Sequence, residues 1–166
     1  MPKMLSDGRR KLVFVPALVN PSAPTVAELS AAGVLDLSCL VTAADFTLGA
    51  SGEDTVNDPA LCARGNDASP GRVNYEAGMN FFRWTTTEED KAWTTFTQSG
   101  ITGFLVQRIG QDFEEPFAAA DEVQAYDIIT GHPMILAPAG GGFEKFRQMF
   151  YVQSARTDER AIVAAA

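Results

Sequence analysis

Apolar and polar residues alternate along most of the chain, which is typical of β-strands with one buried face. The longest such segment is Arg72–Trp84, in which apolar residues from Val73 to Phe81 alternate with polar positions from Asn74 to Asn80. Further segments are rich in β-branched, aromatic or alternating apolar residues: Lys11–Val15, Leu35–Val41, Ile101–Ile109, Val123–Thr130 and Lys145–Gln153. The pattern therefore predicts about six strands.

Short helices are predicted at two places. Thr25 and Glu28 match a capping box, in which each residue bonds the backbone amide of the other, and Gly33 is expected to end this helix in a left-handed conformation. Thr86–Glu89 opens a second helix that ends near Gly100. The predicted fold class is mainly β (α+β), a β-sandwich or open barrel with one or two short flanking helices.

The alternation disappears between Thr42 and Gly71, where Gly, Asp, Asn, Ser and Pro are frequent. Scattered apolar residues remain in this segment: Phe46, Leu48, Val56 and Leu61. A loop of this length inside a compact domain is usually functional or disordered, and the apolar residues favour a functional loop that orders on contact with a partner.

The length of 166 residues suits one domain with a hydrophobic core. We expect an N-terminal arm over residues 1–20, stiffened at its end by prolines, the long loop over 42–71, and a C-terminal tail over 154–166 that is mobile at its end. A polar N-terminus without an apolar run, and no stretch near ~20 apolar residues, predict neither a signal peptide nor a membrane span.

The formal net charge of −8 excludes nucleic-acid and anionic-membrane binding as the main activity, because such a surface repels phosphate. The two cysteines form no disulfide framework. Cys39 falls on the apolar face of its predicted strand and is expected in the core, and Cys62 near the base of the long loop. A bridge between them stays an open alternative.

Candidate catalytic and metal-binding groups are sparse. His132 stands alone in a Gly-His-Pro turn, and Asp54 and Asp58 lack the order of a calcium-binding loop. The glycines at 140–142 have no following Lys-Ser/Thr or helix that would make a phosphate site. Carboxylates cluster at Asp112, Glu114, Glu115, Asp121, Glu122 and Asp127, which predicts a solvated acidic face. We therefore expect no catalytic residues, no metal site and no cofactor.

The order of motifs resembles a known family. NPSAPTVAEL (Asn20–Leu29), DPALC (Asp58–Cys62), a long strand and then YDIITGHP follow one another along the chain. This arrangement resembles the major tail protein, or tail tube protein, of long-tailed, non-contractile actinobacterial phages. The similarity spans Lys11 to Gln153.

The resemblance implies a structural virion protein rather than an enzyme. Such proteins form hexameric rings that stack into a tail tube, a conduit for genome delivery, after assembly in the host cytoplasm. The implied partners are other copies of the chain, a tape measure protein, tail terminator and tip proteins, and viral DNA that passes without specific binding. Each subunit adds strands to an inner barrel, and a long loop reaches the neighbouring ring.

Two sets of residues carry this hypothesis. The expected inter-ring contacts are Phe46, Leu48, Val56, Asp58 and Leu61. The residues that could line a wet lumen lie on the polar face of the longest strand: Asn74, Glu76, Gly78 and Asn80. An acidic wall would let DNA slide through the tube, since it repels phosphate.

Other functions stay open from the sequence. A head–tail connector or tail-completion protein of a related fold would act as one ring, so electron microscopy would show discs instead of cylinders. A ligand-binding β-barrel or enzyme would use the acidic residues near Tyr126 and Asp127 for a small cationic substrate. A compact monomer with a ligand-sized pocket would favour that alternative.

Overall fold

A computed structural model describes residues 1–165. It contains two short helices and eight strands, which confirms the predicted mainly β class. The elements in chain order are β1 (Arg10–Val15), α1 (Val26–Leu29), β2 (Leu35–Asp36), β3 (Thr47–Val56), β4 (Ser69–Phe82), α2 (Lys91–Thr95), β5 (Thr102–Ile109), β6 (Glu122–Thr130), β7 (Met134–Ile135) and β8 (Lys145–Ile162).

The strands form one antiparallel sheet in the order β2-β1-β5-β6-β8-β4-β3, and β7 pairs with the start of β8. The segment after β2 crosses to the other end of this path. There Phe82 N donates to Leu40 O at 3.0 Å, and Thr42 N donates to Asn80 O at 2.9 Å. The sheet therefore closes partly on itself, as an open barrel.

Side chains on the two faces of the sheet form two cores, because successive residues of a strand point to opposite faces. The larger core lies inside the closed sheet and includes Phe14, Phe81, Phe96, Leu105, Tyr126, Ile128, Phe146 and Phe150. The second core lies on the outer face of β1, β5 and β6 and includes Val13, Val15, Leu18, Leu29, Phe104, Val106 and Val123. Residues 16–34 and the chain end cover it.

Helix α1 begins with the predicted capping box. Glu28 N donates to Thr25 Oγ1 at 3.1 Å, and Thr25 N donates to Glu28 Oε2 at 2.9 Å. Val19 N also donates to this carboxylate, and the two backbone hydrogen bonds lower the pKa of Glu28. The helix ends at Leu29, so the expected end at Gly33 was wrong.

Helix α2 is shorter than predicted, with Lys91–Thr95 in place of a helix that starts at Thr86. Thr86 Oγ1 donates to the Glu89 side chain at 3.0 Å, within a turn that precedes the helix. Asp90 at the N-cap makes no capping bond, because its carboxylate accepts from Arg83 Nε at 2.7 Å.

The strand predicted over Leu35–Val41 ends at Asp36 in the structure, so the prediction is wrong for residues 37–41. Ser38 N donates to Asp36 Oδ1 at 2.9 Å, and this local bond turns the chain away from the sheet. Leu37 stays buried, but Cys39 lies on the turn and is exposed. Cys62 is exposed as well, and both thiols are free, so the expected core position of Cys39 and the alternative disulfide are both corrected.

The segment predicted as a long loop is mostly a β-hairpin. Strand β3 covers Thr47–Val56, β4 begins at Ser69, and only residues 57–68 connect them. These twelve residues, the hairpin tip, contain Cys62, so its expected position near the base of the loop was wrong. Strand β3 was missed because both of its faces are exposed over most of its length, so apolar and polar residues do not alternate along it. Strand β4 was predicted from Arg72 onward and begins three residues earlier.

The C-terminal tail expected over 154–166 is also wrong within the described residues, because β8 continues to Ile162. Its pairing with β6 shifts between Asp127↔Gln153 and Ala125↔Asp158, so extra residues bulge out of β8. One of them, Arg156, donates to Leu18 O at 2.9 Å. The expected arm over residues 1–20 contains β1, whose last four residues are buried.

Candidate self-association surface

The β3–β4 hairpin extends beyond the packed body of the protein. Its pairing runs from Thr47↔Gly78 at the base to Val56↔Ser69 beside the hairpin tip. Every residue from Ala50 to Pro70 is exposed. The ten residues of β3 span about 33 Å in extended conformation. The hairpin therefore presents both faces to solvent over most of its length.

Hydrogen bonds attach the hairpin base to the body. Arg147 Nη1 on β8 donates to Asn80 Oδ1 and to Asp45 O, each at 3.2 Å. Thr47 Oγ1 donates to Gly78 O at 3.1 Å. These contacts join β8, β4 and the turn before β3 at one point. Sequence reasoning missed Arg147, because a lone arginine in an alternating strand is typical of a solvent-facing position.

A tyrosine pair packs under the proximal part of the hairpin. The rings of Tyr75 and Tyr126 lie 6.4 Å apart in an edge arrangement, and Tyr126 Oη donates to Glu159 Oε2 at 2.9 Å. Burial of the Tyr126 hydroxyl is the main cause of its raised pKa, and the nearby Glu159 carboxylate raises the pKa further. The hydroxyl therefore stays protonated and donates at neutral pH. Gly49 passes over this hydroxyl with φ of 144°, a conformation that favours glycine.

The predicted inter-ring residues fall into two groups. Phe46 and Leu48 are partly buried and pack on the larger core of their own chain. Val56 is 51% exposed, Asp58 is exposed, and Leu61 is 106% exposed. The second group projects into solvent, whereas Phe46 and Leu48 expose only part of their surface because they pack against the body.

The predicted lumen residues also divide. Asn74 and Glu76 are exposed, and Asn74 Nδ2 donates to Asp54 Oδ1 across the hairpin at 2.9 Å. Asn80 is 8% exposed and holds Arg147, as described above. Gly78 is buried, and a Cβ there would lie 2.7 Å from Met149 Sδ. Of the four predicted lumen residues, therefore, only Asn74 and Glu76 face solvent.

Two long strand edges lack a partner within residues 1–165. Strand β3 ends the sheet and pairs with β4 alone. Between Phe150 and Ala161, β8 pairs with β6 alone, because β4 leaves it after Ala77↔Phe150. At the end of the strand, Ile162 N donates to Ser22 O at 3.2 Å. Unpaired N–H and C=O groups on such edges are available to another strand.

The acidic connection between β5 and β6 is folded around one buried arginine. Arg108, 1% exposed, donates to Asp112 O, Glu115 O and Pro116 O at 2.9 Å and to Asp121 Oδ2 at 3.1 Å. Burial opposes ionisation of Asp121, but hydrogen bonds from Ala118 N, Gln111 and Arg108 lower its pKa overall. Asp112, Glu114, Glu115 and Glu122 are exposed. Asp121, predicted on the solvated acidic face, is therefore buried in an ion pair with Arg108 that holds the connection together.

Groups that could perform chemistry do not converge in the described part of the chain. No cluster of three or more His, Cys, Asp or Glu side chains there could hold a metal ion. His132 is exposed. No helix in residues 1–165 is long and apolar enough to cross a membrane.

Comparison with known proteins gives a family and a fold neighbour. A family model described as "Phage tail tube protein" matches residues 1–166. No curated protein matches the chain. A chain in the "Cryo-EM structure of the anti-feeding prophage (AFP) baseplate, 6-fold symmetrised" has a TM-score of 0.55 and 8% identity, over 93% of this chain and 95% of that chain. At this identity the likeness concerns the fold alone.

Proposed function

Because the chain belongs to the phage tail tube protein family, we propose that copies of it form hexameric rings that stack into a tail tube. In this role the protein is a structural component of the virion tail, and the tube is the conduit for genome delivery. The function is non-catalytic and needs no cofactor. Subunits assemble in the host cytoplasm.

The observation that carries this proposal is the exposed β3–β4 hairpin. A two-stranded hairpin is at best marginally stable in water unless another surface covers it. Here the residues from Ala50 to Pro70 have no cover from their own chain. Contact with a neighbouring ring supplies that cover, and Val56, Asp58 and Leu61 are the contact residues. Phe46 and Leu48 hold the base in place instead.

The free strand edges support ring closure. When the β3 edge of one copy pairs with the β8 edge of the next, the backbone groups on both edges gain partners. The paired strands then form a barrel around a lumen, which Asn74 and Glu76 line. The β3–β4 hairpin up to Glu76 carries five carboxylates against two arginines, so its surface repels DNA phosphate.

The proposed partners are a tape measure protein, tail terminator and tip proteins, and viral DNA that passes without specific binding. We assign the tail to the long, non-contractile type of actinobacterial phages. The segments Asn20–Leu29 and Asp58–Cys62 support this assignment.

Negative-stain electron microscopy of the purified protein at high concentration tests the function. The native chain should form cylinders with a regular cross-striation. Leu61→Asp should form no cylinders and keep an unchanged circular dichroism spectrum, because it removes an inter-ring contact and the side chain is fully exposed in the free chain. Leu61→Met, which keeps an apolar side chain, should form cylinders.

Discs without cylinders from the native chain would instead indicate a connector or terminator. A native chain that stays monomeric at every concentration would overturn self-assembly. Loss of the circular dichroism signal in Leu61→Asp would show that Leu61 belongs to the core of its own chain.

A further inference from the structure

An open groove lies at the base of the hairpin, between the N-terminal segment, β1 and the turn before β3. Its volume is about 620 Å³. Leu12, Leu37, Val41, Phe46 and Phe113 form most of its apolar wall. Asp7 and Arg10 lie at its polar side, and Cys39 lies at its rim. The groove is large enough for several side chains of a turn.

The hairpin tip has the complementary properties. Leu61 at the tip is a fully exposed apolar side chain, and an apolar groove favours its burial. Asp58 and Arg64 in the tip, like Asp7 and Arg10 at the groove, form no ion pair within residues 1–165. The tip, which also contains the exposed Asp67, therefore offers two acidic groups and one basic group, and the groove offers one of each.

Charge also distinguishes the two surfaces over a wider area. Residues 1–11 beside the groove contain four basic residues and one acidic residue. Residues 47–76 of the hairpin contain five acidic and two basic residues. The basic segment beside the groove attracts the acidic hairpin, whereas two acidic hairpins repel each other. In a chain of net charge −8, contact between a hairpin and a groove is therefore more favourable than contact between two hairpins.

The tip cannot enter the groove of its own chain. Phe46, which lines the groove, comes immediately before β3, and the tip follows the other end of that strand. The extended strand keeps them about 33 Å apart. The occupant must therefore belong to another molecule.

We propose that the hairpin tip of one copy docks in the groove of a second copy. The inference rests on the proposed function and names the surface that receives the inter-ring hairpin. The contact joins two different surfaces, so a stack of copies has a free tip at one end and a free groove at the other, and the assembly is polar. Docking also brings Cys62, next to Leu61 in the tip, towards Cys39 at the groove rim of the partner copy.

Thiol cross-linking of assembled protein tests this contact. A short bismaleimide is added to tubes whose presence has been checked by electron microscopy, and the products are separated on a denaturing gel. The native chain should give a ladder of covalent oligomers, because every copy carries one thiol of each kind. Peptide mass spectrometry should identify Cys39 joined to Cys62.

Single-thiol variants provide the matched controls. Cys39→Ser and Cys62→Ser alone should each form tubes but stay monomeric on the denaturing gel. Tubes assembled from an equal mixture of the two variants should give covalent dimers and nothing larger, since each variant contributes one reactive thiol.

Other results would overturn the docking contact. Covalent dimers of Cys62→Ser alone, which keeps only Cys39, would show that two grooves meet. Covalent dimers of Cys39→Ser alone, which keeps only Cys62, would show that two tips meet. Intact native tubes without any Cys39–Cys62 product would place the tip elsewhere and leave the tail tube function standing. Absence of tubes from the native chain would reject the function and this inference together.

Discussion

Removal of the buried Arg108 side chain should strongly destabilise the chain. Arg108→Met leaves the carboxylate of Asp121, 8% exposed, without its cation, and removes the donors to Asp112 O, Glu115 O and Pro116 O. Breaking a buried ion pair from one side costs about 3–5 kcal/mol. This is a large share of the about 5–15 kcal/mol that stabilises a typical domain.

Urea unfolding of the monomer, followed by circular dichroism, measures this loss. With a slope of about 2 kcal/mol per molar urea, the midpoint should fall by roughly 1.5–2.5 M. Arg160→Met is the control, because Arg160 is exposed, and it should change stability by less than about 0.5 kcal/mol. A loss below about 1 kcal/mol for Arg108→Met would refute the role assigned to the arginine.

Acid provides a second measurement on the same ion pair. The pKa of Asp121 is lowered in the folded chain, so its ionised form contributes stability at pH values above the unfolded pKa of about 3.9. This contribution is lost as the pH falls through the folded pKa. Arg108→Met should therefore lose less stability than the native chain on acidification below about pH 4. An equal loss in both would show that Arg108 does not act through Asp121.

Two further predictions concern the fold itself. Gly103→Ala should lower the free energy of unfolding, measured by heat or denaturant, by about 1–3 kcal/mol, because a Cβ there would lie 2.5 Å from Phe14 Cε2. Gly140→Ala is the control, because a Cβ there has no neighbour within 4 Å. Equal stability of the two variants would contradict the close packing at Gly103. Deletion of residues 1–20 should abolish cooperative unfolding because it removes β1 with buried Val13, Phe14 and Val15, whereas deletion of the exposed residues 1–5 should leave the circular dichroism spectrum unchanged. A folded protein after the longer deletion would show that β1 is dispensable.

The sequence predicted the elements whose signals are local. Strands β5 and β6 are short apolar runs between turn residues, and the capping box of Thr25 and Glu28 lies within four residues. It could not predict features that depend on distant partners. The bulge in β8 interrupts the alternation, so the strand was expected to stop at Gln153 instead of Ile162.

The candidate surface was predicted only in part for the same reason. Leu61 was identified because an apolar residue in a polar segment needs a contact, and it is exposed as that reasoning requires. Asn80 was expected to face a lumen from strand alternation alone, but Arg147, 67 positions away in sequence, holds it in the interior. Pairing of residues so far apart leaves no mark in the local pattern.

Irregular pairing with β4 bends strand β3, whose outer edge has no partner within residues 1–165, and this affects how a free subunit behaves before it meets a partner. Two register shifts interrupt its pairing, between Ala50 and Gly52 and between Glu53 and Thr55. Bulges and inserted charges of this kind prevent a flat edge from recruiting any passing strand. A free subunit therefore resists indiscriminate amyloid-like stacking along this edge, and a strand that pairs with it must match its irregular shape.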